Sequence, residues 1–391
     1  MLAFTFPGQG SQRPGMGRPW VEHESWELVD EASEVCGRDV ARLLLDADAE
    51  ELKDTRNAQL MTFVSSLMVL DAVERLGIEP SFCAGHSLGE YTALTACGAL
   101  SFDDGVRLVC ERAEAMHDAG IENPGTMAAV LGLDDDQVEI ACRRADSEVW
   151  VANFNAPGQV VIAGSPEGVA AAAIVAKEIG AKKVMPLQVA GAFHTPFMAP
   201  ARDRLRKAIA DAAPRDSEVS VISNVDALPH ANGADWASLL SAQLSSPVRW
   251  KHCLLALQQE GVTDYVELGP GGVLTGMAKR TVDAARTISV ATPEELNRLL
   301  DWIATTMPKA PAQLEGEHLF AVERLVVSPG AGIFTPVGDI SGGTMIEVGT
   351  VIGMVGEQEV RSPFAGIVQS YIAVEGERIT GRQPIAWLRT V

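Results

Sequence analysis

Apolar and polar positions divide the chain into stretches of distinct texture. Residues 2–6 are almost wholly apolar and run into Pro7-Gly8-Gln9-Gly10, which reads as a short buried strand ending in a glycine-rich loop. Residues 22–45 read as a helix with an acidic face. Leu60, Phe63, Val64, Leu67, Leu70, Val73 and Leu76 recur at helical spacing and predict a helix over 59–76, ended by Gly77. The apolar segment closing on Phe82-Cys83-Ala84 predicts a strand, and residues 90–96 suit a helix. Ser101 is placed to cap the next helix, with Asp103 and Asp104 in its first turn and Arg107 and Arg112 further along.

After Pro124-Gly125 the pattern changes. Strands are predicted at 127–131, 149–155, 159–164 and 183–187, with helices at 134–145 and 166–179. This β-α-β-β-α-β order is ferredoxin-like and predicts a subdomain over about 125–188, inserted into a larger α/β domain. Residues 189–194 read as an apolar strand returning to that domain and ending at His194. Helices at 198–212, 236–244 and 250–261, strands at 219–224 and 265–268, and a glycine turn leading into a helix up to about 282 complete it. The expected domains are 1–305, a polar linker at 306–323, and a glycine-punctuated all-β domain at 324–391.

Composition narrows the function classes. A chain of 391 residues is long enough for more than one core. The net charge of −21 argues against nucleic acid, which needs a basic face, and against an anionic membrane surface. No run approaches the ~18 apolar residues of a membrane span. The N-terminal segment reads as a strand, without the basic start of a signal peptide. Cys36, Cys83, Cys97, Cys110, Cys142 and Cys253 form no C-x-x-C pair. They are expected to be free thiols in a reducing cytoplasm.

The candidate chemistry centres on Gly85-His86-Ser87-Leu88-Gly89, a G-x-S-x-G between a predicted strand and a predicted helix. In that context the pattern describes a nucleophile elbow, with the serine exposed near a helix N-terminus. Read alone, it also describes an ordinary turn with a surface serine. Gln9, between two glycines, either reaches a site at the strand ends or is a solvated turn residue. Arg112 follows Glu111, and taken singly both read as solvated. Of the seven histidines, His194 stands apart, because it closes an apolar segment just before a Thr-Pro break.

Several of these segments occur together in one known family. Phe6-Pro7-Gly8-Gln9-Gly10-Ser11-Gln12, Gly85-His86-Ser87-Leu88-Gly89-Glu90, Arg112, Asn153-Phe154-Asn155-Ala156-Pro157-Gly158-Gln159, Phe193-His194 and Glu267-Leu268-Gly269-Pro270-Gly271 follow one another in family order. Over about 1–305 the chain resembles the malonyl-CoA:acyl carrier protein transacylases. The resemblance implies an α/β-hydrolase-like acyltransferase domain. It also implies Ser87 as nucleophile, His194 as base, and the backbone carbonyl of Gln243 as the group orienting that histidine. It assigns the oxyanion hole to the N–H groups of Gln9 and Leu88, and the grip on the malonyl carboxylate to Arg112. Phe193 would crowd the alpha substituent of the acyl group, while Gly191 departs from the usual residue there. The implied reaction moves malonyl from malonyl-CoA to an acyl carrier protein, for fatty acid or polyketide synthesis. No metal or permanently bound cofactor is expected.

The C-terminal segment is similar to a biotinyl/lipoyl carrier domain. Ser328-Pro329-Gly330 and Ser362-Pro363-Phe364-Ala365-Gly366 mark two halves, around a short hairpin region at 354–360. Such domains attach their cofactor to a lysine, and there is none after Lys309. A degenerate, barrel-sandwich-like domain without biotin or lipoate is therefore expected, kept for packing or for docking a partner. Two other readings use the same residues: an esterase or acyl-thioesterase built on the same serine, and a scaffold in an acyl-transfer assembly.

Overall fold

The computed structural model describes residues 1–305 and 323–389, apart from residues 190, 339 and 382. They fall into two compact units, which meet in sequence near residue 307. Ten strands belong to the first unit. They are β1 (Leu2–Phe6), β2 (Phe82–Gly85), β3 (Thr126–Leu131), β4 (Val149–Ala156), β5 (Gln159–Gly164), β6 (Lys183–Pro186), β7 (Ser220–Ile222), β8 (Pro229–His230), β9 (Asp264–Leu268) and β10 (Arg286–Val290).

Strand β1 shows how the main sheet is built. Ala3 faces a cluster containing Trp250, Leu254 and Tyr265, while Phe4 and Phe6 face another containing Leu60, Phe63 and Val64. A strand covered on both faces needs apolar residues throughout, as parallel sheets do. The sheet order is β10-β9-β1-β2-β7-β8, parallel except for β8. Phe6 lies opposite Gly85 on β2, and Thr5 opposite Glu267 on β9. That register brings the loops after β1, β2 and β9 together at the carboxyl ends of the strands, where sites form in open α/β sheets. Helix Thr55–Glu74, capped by Asp54, is buried nearly all round beneath them.

The second sheet has the order β4-β5-β3-β6 and is antiparallel. Helices Asp135–Arg144 and Pro166–Glu178 belong to it, and Val130, Val138, Ile162 and Ala172 share its core. One parallel bridge joins it to the rest of the unit, with Phe154 N–H donating to Val248 O and Val248 N–H to Ala152 O, each at 2.9 Å.

Some elements differ from the sequence reading. The helix expected over 22–45 is two helices, Glu27–Cys36 and Val40–Asp46: Gly37 ends the first with φ 66°, and Asp39 caps the second. The helix expected from 198 is a 3-10 turn over Pro196–Ala201 followed by Arg202–Ala212, since Pro200 brings no N–H to an α-helical ladder. The strand expected to end at His194 is a loop, and His194 has φ 62°. Strands β8 and β10 and helix Glu294–Ala304 are additions that the sequence pattern does not predict.

Among its described residues, the second unit holds eight strands: β11 (Glu323–Val327), β12 (Gly332–Pro336), β13 (Met345–Ile346), β14 (Val351–Val355), β15 (Gln358–Arg361), β16 (Gly366–Tyr371), β17 (Arg378–Ile379) and β18 (Pro384–Arg389). They form two sheets, β11-β18-β16-β13 and β15-β14-β12-β17, around Val326, Phe334, Ile352, Val368, Ile385 and Leu388. Ser328 Oγ donates to Gly330 O and Ser362 Oγ to Phe364 O, so each Ser-Pro pair makes the same buried turn. Hairpin β14–β15 turns at Gly356 and Glu357. The linker expected at 306–323 lies outside the described residues as far as 322. Among the described residues, no helix is long and apolar enough to cross a membrane.

Candidate active site

Ser87 stands between β2 and helix Leu88–Ala96, with φ 54° and ψ −104°. Glycines on either side make that turn possible. A Cβ on Gly85 would lie 1.8 Å from the Gly89 carbonyl, and one on Gly89 would lie 2.0 Å from the Phe6 carbonyl oxygen. His86 N–H donates to Phe6 O at 3.0 Å, tying the elbow to β1. Asn224, just beyond β7, accepts from Ser87 N–H and donates to Gly85 O, both at 2.8 Å.

His194 reaches the serine from its loop. Its Nε2 lies 2.7 Å from Ser87 Oγ, and its Nδ1 lies 2.8 Å from the backbone oxygen of Gln243. A carbonyl can only accept, so Nδ1 carries the proton and Nε2 is free to accept from the serine hydroxyl. Burial, then the charge of Arg112, hold the imidazole pKa down to about 3, with the Gln243 carbonyl pulling upward. It is a neutral base across the ordinary pH range.

Arg112 comes from helix Phe102–Glu122 and is 1% exposed. It donates to Ser87 Oγ at 3.1 Å, to Gln243 Oε1 at 3.0 Å and to Gln59 Oε1 at 2.6 Å. Its guanidinium lies over the Tyr91 ring, 5.0 Å from the centre. All three acceptors are neutral. Burial pushes the guanidinium pKa down, and Tyr91 first and then Glu90 act against that.

A cleft of about 440 Å³ opens above Ser87, Arg112 and His194. The 8–12 loop and Leu274 line one side; Met127, Asn153, Asn155 and Val161 of the second sheet line the other. Gln9 faces this cleft, and its amide donates to Thr55 Oγ1 at 3.3 Å. Leu88 heads its helix, where first-turn N–H groups lack intrahelical acceptors. Phe193 lines the cleft while packed in the main core. A Cβ on Gly191 would come within 2.7 Å of its ring, so the glycine leaves the ring its room.

The residues singled out from sequence, Ser87, His194, Arg112, Gln243, Gln9, Leu88 and Phe193, thus surround one cleft or support its floor. Sequence reasoning missed four polar groups that hold them. These are Gln59, Asn224, Asn155, whose Oδ1 lies 2.8 Å from His86 Nε2, and Glu90. Gln59 heads the apolar run of its helix, next to Leu60 and Met61, and nothing in that local pattern marks it as a partner of Arg112. Among the described residues, Glu114, His117 and Asp118 bring three ligand atoms within 4.8 Å of one another. They do not line the cleft, and Asp118 is bonded to Arg204 at 2.8 Å.

Residues 3–295 match the family described as acyl transferase domain. The chain is 43% identical over 300 residues to the malonyl CoA-acyl carrier protein transacylase of Bacillus subtilis (strain 168), covering 75% of this chain and 95% of that protein. It is 39% identical over 309 residues to the enzyme of the same name from Escherichia coli (strain K12), covering 77% and 99%. Among solved structures it is similar to an acyl-carrier-protein S-malonyltransferase from Burkholderia pseudomallei 1710b, with TM-score 0.74, 42% identity and 77% and 99% coverage. It is equally similar in fold to a malonyl-transacylase solved in complex with its type II PKS acyl-carrier protein, with TM-score 0.74, 35% identity and 77% and 99% coverage.

Proposed function

The chain belongs to the acyl transferase domain family, among its malonyl-CoA:acyl carrier protein transacylases, and from that premise we propose how its residues carry the reaction. It transfers malonyl from malonyl-CoA to the phosphopantetheine thiol of an acyl carrier protein, for fatty acid or polyketide synthesis. His194 Nε2 takes the proton of Ser87 as Oγ attacks the thioester carbonyl. The N–H groups of Leu88 and Gln9 receive the oxyanion. The intermediate collapses, the C–S bond breaks, and His194 returns its proton to the departing thiol of coenzyme A. Malonyl is left as an ester on Ser87. The carrier thiol then gives its proton to His194 and attacks that ester, and Ser87 Oγ leaves and takes the proton back.

The observation that carries the malonyl reading is Arg112. A buried cation whose partners are two amide oxygens and the nucleophile itself has room for an anion beside Ser87. The free carboxylate of malonyl supplies one, and a guanidinium pairs with it at two points. A triad hydrolase would set a carboxylate against His194 Nδ1, where Gln243 offers a carbonyl instead.

We read the larger unit as an α/β-hydrolase-like domain over 1–305. The strand order of its second sheet supports a ferredoxin-like insertion over about 125–188. The segment 324–391 reads as a barrel-sandwich-like, degenerate carrier domain: the turn of its β14–β15 hairpin is Gly356-Glu357, with no amine for biotin or lipoate. Six free thiols support a reducing cytoplasm as its location.

Incubation with labelled malonyl-CoA tests the reading. Stable label should appear on the wild type and pass to holo carrier protein. Ser87→Ala should take none while keeping its fold by circular dichroism. Label that persists in the variant removes Ser87 from the mechanism, and label quickly lost to water identifies a hydrolase.

A further inference from the structure

Beneath Ser87 lies a carboxylate that the transfer steps leave unused. Glu90 is 0% exposed and sits in the first turn of helix Leu88–Ala96. Its Oε1 accepts from Asn224 N–H at 2.7 Å, and its Oε2 accepts from Gln243 Nε2. The same Nε2 donates to Ser87 O at 2.8 Å, while Gln243 Oε1 accepts from Arg112 at 3.0 Å. The Gln243 amide is therefore the link between a buried carboxyl group and a buried cation.

That link has a direction. A side-chain amide has one accepting and one donating end of nearly equal shape, so its surroundings decide which way it points. Arg112 can only donate, and the Glu90 oxygen that faces the amide accepts from it. Between them the amide has one satisfied orientation, oxygen toward the guanidinium. Turned over, it would set its NH2 against the guanidinium N–H groups, and Arg112 would lose one of its three acceptors. An unmet buried donor is costly, and the guanidinium would shift to find another partner.

We propose that Glu90 is a positioning residue for malonyl selection: it fixes the orientation of the Gln243 amide and thereby holds Arg112 in register with Ser87. The inference rests on the malonyl-transfer reading above. The effect falls on the acyl group with a free carboxylate. His194 is held by the backbone oxygen of Gln243, which does not move when the side-chain amide turns.

The test compares labelling of the full chain by malonyl-CoA and by acetyl-CoA. Glu90→Gln keeps the shape but can donate as well as accept. It should lower the malonyl-to-acetyl ratio of kcat/KM about tenfold or more, the size of one charge-assisted hydrogen bond, chiefly through malonyl KM. Glu90→Asp, still a carboxylate, should recover part of the ratio. Gln243→Met keeps the backbone oxygen and removes the amide, so it should show the same selective loss. The double variant Glu90→Gln/Gln243→Met should be no worse than the poorer single one, because both break one link. A folded Glu90→Gln with an unchanged ratio overturns the proposal, and so do multiplying losses in the double variant. Should Glu90→Gln not fold, an unchanged ratio in Gln243→Met overturns it. A wild type that takes no malonyl label overturns the transfer reading and this inference with it. A labelled wild type with an unchanged ratio in the variants overturns the inference alone.

Discussion

At Ser87 Oγ a fixed cation and a neutral base meet, Arg112 from one side and His194 from the other. Removing the cation should have two separable effects. Arg112→Ala should cost malonyl transfer about 2–4 kcal/mol, roughly 30- to 1000-fold, and acetyl transfer far less, as kcat/KM for the two thioesters would read. The imidazole, held at about 3 partly by that charge, should also rise. In the wild type the base is unprotonated above about 3, so acetyl labelling should fall only as pH drops toward that value. In Arg112→Ala the acid limb should move to higher pH. Stability carries a second signature. Burial raises Glu90 to about 7, above its ordinary 4.5, so the native state holds that proton more tightly than the unfolded chain. This contribution is full below about 4.5 and is lost as pH rises through about 7. His194, lowered from 6.5 to about 3, contributes in the opposite sense: its share is full above 6.5 and is lost as pH falls through about 3. Urea unfolding of Glu90→Gln between pH 5 and pH 8 should therefore show less loss of stability with rising pH than the wild type.

The elbow depends on how closely β1, β2 and helix Leu88–Ala96 approach one another. Gly89→Ala would push a methyl group into the Phe6 carbonyl, and the backbone there has no slack. It should cost about 3 kcal/mol or more in urea unfolding, with loss of labelling to match. Such elements were legible in sequence where two signals agreed. The helix ending near Gly77 had apolar spacing and a glycine stop, and the elbow had a strand before it and a helix after it. Elements with one signal were lost or misjudged. Helix Glu294–Ala304 carries Leu296, Leu299, Leu300 and Ile303 at helical spacing, but it follows an edge strand of mixed polarity that gave no boundary. The loop at His194 reads as a strand because its apolar residues line a core without a ladder to pair with. In the site, Ser87 and His194 stood out by local context. Glu90, Asn224 and Gln59 did not, because their roles come from partners 53 to 153 residues away in sequence.

For the whole chain, residues 3–295 match the family, and every residue assigned to the chemistry lies within them. A chain ending near residue 307 should keep labelling at Ser87, and intact mass from the native host should show no biotin or lipoyl increment on the full-length protein. Loss of labelling in a folded truncated chain would mean that the second unit completes the site. One small feature of the first unit reaches further. The paired hydrogen bonds at Val248 fasten the second sheet to the segment that also bears Gln243, five residues earlier. The second-sheet wall of the cleft is thus tied to the segment whose backbone oxygen orients His194. Coenzyme A and the carrier's arm reach Ser87 through this one cleft, each after the other has withdrawn. Spent coenzyme A still lodged there is then a plug as well as a product, so its cellular level would throttle carrier loading without touching a regulatory site.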